Sequence, residues 1–431
     1  MKNVLIISYM FPPIAGAGIQ RILKFLKFLP DYNIRPVVFC PENAIWNAMD
    51  PNNLSLPYLN EIKIYRCGIR KLRQYYFLRY TRMFKRHPYF LFLALKYIWS
   101  LDYFSSWYFE CRETAIKIAA KEKIDCVLTS SPPHSVQLFG AYLKEKTNLP
   151  WIMDLRDAMF DNPDRDFKRI SIKMQAKIEK YYEKKFLKKA DAIISVSQPI
   201  LESISKRYLP LNCISKSHLI TNGFDQEDYQ KFNVETQNTG KLIITYTGSF
   251  LGKRTPIHFL EAMSMLYKKS LIDINSILIR FIGSFDDAVL KKIRDYKNFC
   301  NIEILGFQPY DKALYYQMSS DILLLINSVS EDQGGSQVLT GKIFEYIGAM
   351  KPIFALTPDG PLKNIIQKGN FGSVAPPRDV KRIAYEFKKV YEKWHKEKRL
   401  AFEPDVEFRN TFSRKKQAEK LSSIINCLTQ S

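Results

Sequence analysis

The chain has little of what metal, disulfide or membrane-spanning chemistry is built from. Five histidines occur in 431 residues. The seven cysteines (Cys40, Cys67, Cys111, Cys126, Cys213, Cys300 and Cys427) are odd in number, form no C-x-x-C pair and lie mostly in apolar, strand-like surroundings. This excludes a zinc site and points to free thiols in a reducing compartment. The longest apolar stretch, Tyr89 to Leu95, ends at Lys96 and is far shorter than the roughly 20 residues of a spanning helix. Met1 to Ile7 reads as a short buried strand, with no cleavage-type segment behind it. With 17 Gly and 22 Pro, the composition is not that of a disordered or fibrous chain. Acidic residues are scarce, 43 against 65 basic ones, for a net charge of +22 and a pI near 9.5. The expectation is a folded cytoplasmic protein, soluble or peripheral on the inner face of the cell membrane, with an acidic partner.

What is present organises into two halves. Val4–Ser8, Val37–Cys40, Cys126–Thr129, Trp151–Met153 and Ala192–Val196 read as buried strands, with helical spacing over 19–29, 111–122, 134–146 and 171–189. Such alternation specifies a parallel sheet flanked by helices. The pattern repeats with strands at Leu242–Tyr246, Ile277–Ile282, Ile302–Leu305, Ile322–Ile326 and Pro352–Leu356, and helices near 256–268, 286–297, 309–318, 341–349 and 379–397. The expected fold class is α/β, with one doubly wound domain over 1–225, a second over 240–410, a linker near 225–240 and a terminal helix after 411. Function is then sought in the loops beyond the strand ends.

Four loops carry chemistry. After the first strand, Gly16 and Gly18 allow close backbone approach ahead of a helix N-terminus; a plain glycine turn is the competing reading, since the full G-x-G-x-x-G is absent. After Trp151–Met153, Asp154, Arg156 and Asp157 set two carboxylates and a guanidinium at a strand end, able to position hydroxyls or move a proton, or else to form a structural ion pair. His134 stands at another strand end and is either functional or a helix-capping residue. In the second half, Gly248 and Ser249 precede Lys253 and Arg254, which can neutralise a diphosphate. The Gly334–Pro352 stretch brings Thr340, Gly341 and Lys342 to the start of a helix, joining backbone amides and an ammonium at one anion site. Glu345, one turn on, can accept hydrogen bonds from a ribose diol. The order of these residues is not that of a Walker A loop.

Taken together, FPP-x-x-G-x-G (Phe11 to Gly18), SPPHS (Ser131 to Ser135), PW-x-x-D-x-RD (Pro150 to Asp157), DA-x-x-SVS (Asp191 to Ser197), NGFD (Asn222 to Asp225), TGS…R (Thr247 to Arg254) and GK-x-x-EY…KP (Gly341 to Pro352) resemble, in order and spacing, the GT-B glycosyltransferases. The chain is similar to their family 4 of nucleotide-sugar-dependent enzymes. The resemblance implies two Rossmann-like domains facing a cleft, with the C-terminal helix crossing back to the first. It implies a donor site in which Glu345 holds the ribose and Arg254 and Lys342 meet the diphosphate. Gly16 and Gly18 close over the sugar, and Arg156 and Asp157 lie beside the anomeric centre. Relatives often carry a first glutamate where Gln337 stands, so Glu331 or Asp332 is the substitute; a basic residue of many relatives is here Ser249.

The implied reaction is transfer of a sugar from a nucleotide diphosphate to a hydroxyl of a saccharide or lipid-linked acceptor, in cell-surface polysaccharide biosynthesis. Configuration is retained, and no metal or cofactor is needed because cations and amides stabilise the leaving group. Asp157, Asp154 or His134 assists the acceptor. The alternatives are another GT-B enzyme such as a sugar-nucleotide epimerase, or a non-catalytic membrane or nucleic-acid-binding protein on the same frame, although nucleic acid is not the expected partner. The segment Lys63–Lys96 holds ten basic residues and no acidic one, interleaved with aromatics. It suits an anionic membrane surface; a solvated basic helix with a buried aromatic face competes.

Overall fold

The computed structural model describes residues 1–42, 44, 49–68, 100–159, 170–234, 240–250, 254–327 and 339–430. The chain divides into two compact units, Met1–Thr221 with Gln417–Ser431, and Asn222–Lys416. The first holds β1 (Lys2–Ser8), β2 (Ile34–Pro41), β3 (Lys63–Cys67), β4 (Cys126–Ser131), β5 (Trp151–Leu155), β6 (Ala192–Ser195) and β7 (Ser217–Leu219). They form one parallel sheet in the order β3-β2-β1-β4-β5-β6-β7. The second holds β8 (Leu242–Thr247), β9 (Ile277–Ile282), β10 (Ile302–Gly306), β11 (Ile322–Ile326), β12 (Ile353–Leu356) and β13 (Gly372–Ala375), again parallel, in the order β10-β9-β8-β11-β12-β13.

A parallel strand covered by helices on both faces must be apolar throughout. Val4 to Ile7 in β1 and Leu323 to Leu325 in β11 are accordingly sealed from solvent. The last helix, Arg414–Thr429, contributes Ala418, Leu421, Ile424 and Ile425 to the core of the first unit.

The expected strands and helices are present, and among the described residues three strands come in addition. β3, β7 and β13 are short sheet margins without a continuous apolar run. β3 bears on the basic segment, because Lys63 opens an edge strand and its ammonium is held by Glu122 at 3.0 Å, alongside Arg35 and the Tyr65 hydroxyl. That end of Lys63–Lys96 is therefore an edge strand and not the start of the competing solvated helix, while residues 69–99 lie outside the described residues. The reading of every cysteine as a free thiol is corrected for one pair. Packing of β3 against the helix Ser105–Lys121 joins Cys67 to Cys111 in a disulfide with Cα atoms 6.1 Å apart. The other five are free, four of them buried, and burial pushes the thiols of Cys40, Cys126 and Cys300 up to about 12.

Candidate active site

In an open parallel sheet, ligands bind beyond the carboxyl ends of the strands where the strand order reverses. In the second unit this point lies between β8 and β11. Just past β8, Gly248 has φ +123°, and a Cβ there would stand 2.1 Å from Lys342 Cε and 2.4 Å from its Nζ. The lysine therefore rests directly on the loop backbone. Its ammonium donates to the Tyr246 hydroxyl at 2.7 Å and lies 4.5 Å from the centroid of that ring. Phe250 stacks on the ring at 4.2 Å, and the Tyr246 hydroxyl reaches the Ser249 carbonyl at 3.1 Å.

Burial, and then the nearby Arg254 cation, pull Lys342 down to about 7, with Glu345 opposing. Two cations thus repel across the end of β8, and an arriving anion relieves that repulsion. The helix carrying Lys342 spans only Lys342–Gly348, with Gly341 already helical at its cap and Thr340 ahead of it. Seven residues make a weak dipole, so side-chain charge carries more of the anion attraction than the sequence pattern implied.

Glu345 lies three residues after Lys342 and so on the same helix face. Burial raises its pKa; a hydrogen bond from Gln317 and the charges of Lys342 and Arg414 oppose that, and Asp228 adds to it. Its backbone carbonyl accepts from the Tyr229 hydroxyl at 2.8 Å. Gln317, on the helix Tyr310–Met318, donates from Nε2 to Thr247 Oγ1 at 3.0 Å and to Glu345 Oε2 at 3.4 Å. Tyr346 completes the network, accepting from the Thr247 amide at 2.9 Å and donating to the Leu324 carbonyl at 3.3 Å. Sequence reading passed over Gln317 and Tyr246. The signal for Gln317 was a polar residue on the buried face of its helix, one turn from buried Leu314. Lys253, Glu331, Asp332 and Gln337 lie outside the described residues.

In the first unit the order reverses between β1 and β4. Gly16, at φ +110°, caps the helix Ala17–Phe28 that follows β1. Arg156, buried beyond β5, ties the strand-end loops together by donating to the carbonyls of Ser131 at 2.9 Å, of Pro132 at 3.0 Å and of Gly18. Asp154 lies sealed beneath. Arg21 grips both its oxygens at 2.9 and 3.0 Å, and the Ser130 hydroxyl donates to it at 2.7 Å. Asp154 thus lies within β5 in an ion pair buried with Arg21, and not in the surface-loop ion pair or the crevice that the sequence offered. Asp157 is exposed. His134 opens a single 3-10 turn after β4 whose next residue, Ser135, donates its amide to Asp102 at 2.7 Å. Gly16, Gly18, His134, Arg156 and Asp157 are thus gathered at one end of one sheet, while Arg254, Lys342 and Glu345 are gathered at the end of the other.

Residues 228–403 match the family described as Glycosyl transferases group 1. No curated protein sequence matches the chain. Among solved structures, the chain is similar to sucrose-phosphate synthase from Thermosynechococcus elongatus, with a TM-score of 0.66 and 14% identity over the whole of both chains. HepE from Anabaena, solved with UDP and glucose, aligns at 0.63 and 11%, covering 99% of this chain and all of that one. WaaG, a glycosyltransferase involved in lipopolysaccharide biosynthesis, aligns at 0.58 and 11%, covering 99% of this chain and 98% of its own. At such identities the likeness establishes the fold, two Rossmann-like units of the GT-B kind. With the family match, it supports a glycosyltransferase enzyme. Among the described residues, no helix is long and apolar enough to cross a membrane.

Proposed function

We propose that the protein transfers a sugar from a UDP- or GDP-type donor to a hydroxyl of a saccharide or lipid-linked acceptor, as a family 4 enzyme of cell-surface polysaccharide biosynthesis. The observation that carries this is the meeting of Arg254, Lys342 and Glu345 where β8 and β11 end. Two cations suit a diphosphate, and a carboxylate one helical turn away suits a ribose diol. In the reaction, the bond from the anomeric carbon to the diphosphate oxygen breaks and a bond to the acceptor oxygen forms on the same face. The acceptor proton passes to the leaving phosphate. Lys342 and Arg254 neutralise the charge that develops there, with no metal required. Asp157 and His134 are the candidates to orient the acceptor hydroxyl, and Arg156 holds their loops in place. Asp154, already bound to Arg21, serves the scaffold.

Calorimetry with UDP and GDP tests this reading: combined Glu345→Ala and Arg254→Ala substitution should abolish nucleotide binding, and unchanged affinity would overturn it. Acceptor class and location are supported by the likeness to WaaG and by the basic, aromatic composition of Lys63–Lys96. Neutralising Arg79, Arg82, Lys85 and Arg86 should remove binding to anionic liposomes, and retained binding would count against a membrane role.

A further inference from the structure

The polar network behind Glu345 asks more of the fold than support of a helix. Gln317 is almost wholly buried, and its amide nitrogen spends both hydrogens, one on Thr247 Oγ1 at 3.0 Å and one on Glu345 Oε2 at 3.4 Å. The opposite amide orientation would set an oxygen against the carboxylate. In the observed one, the Gln317 carbonyl oxygen is buried and has no hydrogen-bond partner among the described residues. A buried acceptor left unmade is costly. An apolar side chain of similar length would fill the same space without that cost, so packing alone does not account for a glutamine here. The nitrogen engages one carboxylate oxygen and leaves the other for a ligand. Thr247, the last residue of β8, fixes the amide from the strand side.

We infer that Gln317 is a positioning residue that aims the Glu345 carboxylate at the donor ribose and so sets the preference for a ribose bearing its hydroxyls over one lacking them. The inference rests on the reading of Glu345 as the ribose ligand. Gln317 touches no reacting atom; it acts through Glu345.

The test is calorimetric titration of the full chain with UDP and GDP and with their 2′,3′-dideoxy forms, using whichever base binds more tightly. Wild type should favour the ribonucleotide. Gln317→Met, close in size and without donors, should weaken ribonucleotide binding about tenfold, the worth of one hydrogen bond to a charged group. Its affinity for the dideoxy form should stay within about twofold, the hydrogen bonds to the ribose being already absent from that complex. Gln317→Asn keeps the amide but withdraws it by one carbon, and should show the same collapse of the ratio if the methionine variant folds poorly. Equal weakening of both nucleotides, or no change in either, would overturn the positioning role while leaving the donor site intact. Wild-type protein that binds both forms equally, or neither base at all, would overturn the assignment of Glu345 first and the role of Gln317 with it.

Discussion

On the proposed donor site, the charge state of Lys342 should make nucleotide affinity depend on pH in a way that can be calculated. Burial and Arg254 bring this lysine to about 7 from 10.5, so without ligand the ammonium is present below pH 7 and lost above it. A diphosphate binds the ammonium form, and binding at higher pH must first restore the proton. The apparent Kd should therefore rise ~10-fold at pH 8 and ~100-fold at pH 9, at 1.4 kcal/mol per unit. Working above pH 7 keeps the terminal phosphate ionised, its own second pKa being about 6. Titration calorimetry in buffers of different ionisation enthalpy should also show uptake of ~0.9 proton at pH 8. Lys342→Arg should flatten the profile, since a guanidinium remains charged. Arg254→Gln should move the fall to higher pH by removing one cause of the depression. The sign for stability is opposite. A folded-state pKa below the unfolded one means that the unfolded chain binds more protons between about 7 and 10.5, so ligand-free protein should gain stability from this group as pH rises through that window. A Kd that is flat from pH 7 to 9, with no proton uptake, would refute the reasoning.

Gly248→Ala forces a side chain into φ +123° and onto the Lys342 methylenes. Backbone strain of ~1–3 kcal/mol and displacement of the lysine should lower stability in urea denaturation and reduce UDP or GDP affinity at least tenfold; wild-type affinity would show that Lys342 stands elsewhere when ligand binds. Asp154→Ala should cost ~3–5 kcal/mol of stability because it strands the buried Arg21 charge, whereas Asp157→Ala, at an exposed site, should stay within ~0.5 kcal/mol. Equal melting of the two variants would contradict their separate roles. Tyr246→Phe keeps the ring beneath Lys342 but removes the 2.7 Å hydrogen-bond acceptor. It should change thermal stability by no more than ~1.5 kcal/mol and, by freeing the ammonium for the ligand, should not weaken nucleotide binding; a tenfold loss would mean that the hydroxyl itself meets the donor.

The interior strands were legible because burial on both faces demands runs such as Val4 to Ile7 and Ile322 to Ile326. The same physics hides the margins. β3 carries Lys63 and Arg66 because an edge strand with one open side needs no apolar run, and its basic residues read equally well as part of a surface helix. Lys342 and Glu345 were legible through their spacing on one helix, and Gly248 through its place at a strand end. Asp154 was misleading for a related reason. A carboxylate at a strand end points to the crevice or beneath it, and only the tertiary arrival of Arg21 from another element decides between the two. Gln317 poses the same problem in reverse, since its significance depends on Thr247 and Glu345, 70 and 28 residues away.

These cases share one cause. A residue's identity and spacing show what it can donate or accept, but whether that capacity is spent inside the fold depends on partners distant in the chain. Asp154 has both oxygens and a hydroxyl's attention consumed by Arg21 and Ser130, leaving it nothing with which to take a proton from an acceptor. Glu345 has one oxygen engaged, by a long hydrogen bond, and stands beside a lysine that burial has made ready to accept charge. Asp154 is sealed within β5 and fully satisfied, whereas Glu345 is half-buried on its helix and less completely satisfied, so on the proposed reading Glu345 is the carboxylate equipped for a ligand and Asp154 the one spent on the scaffold.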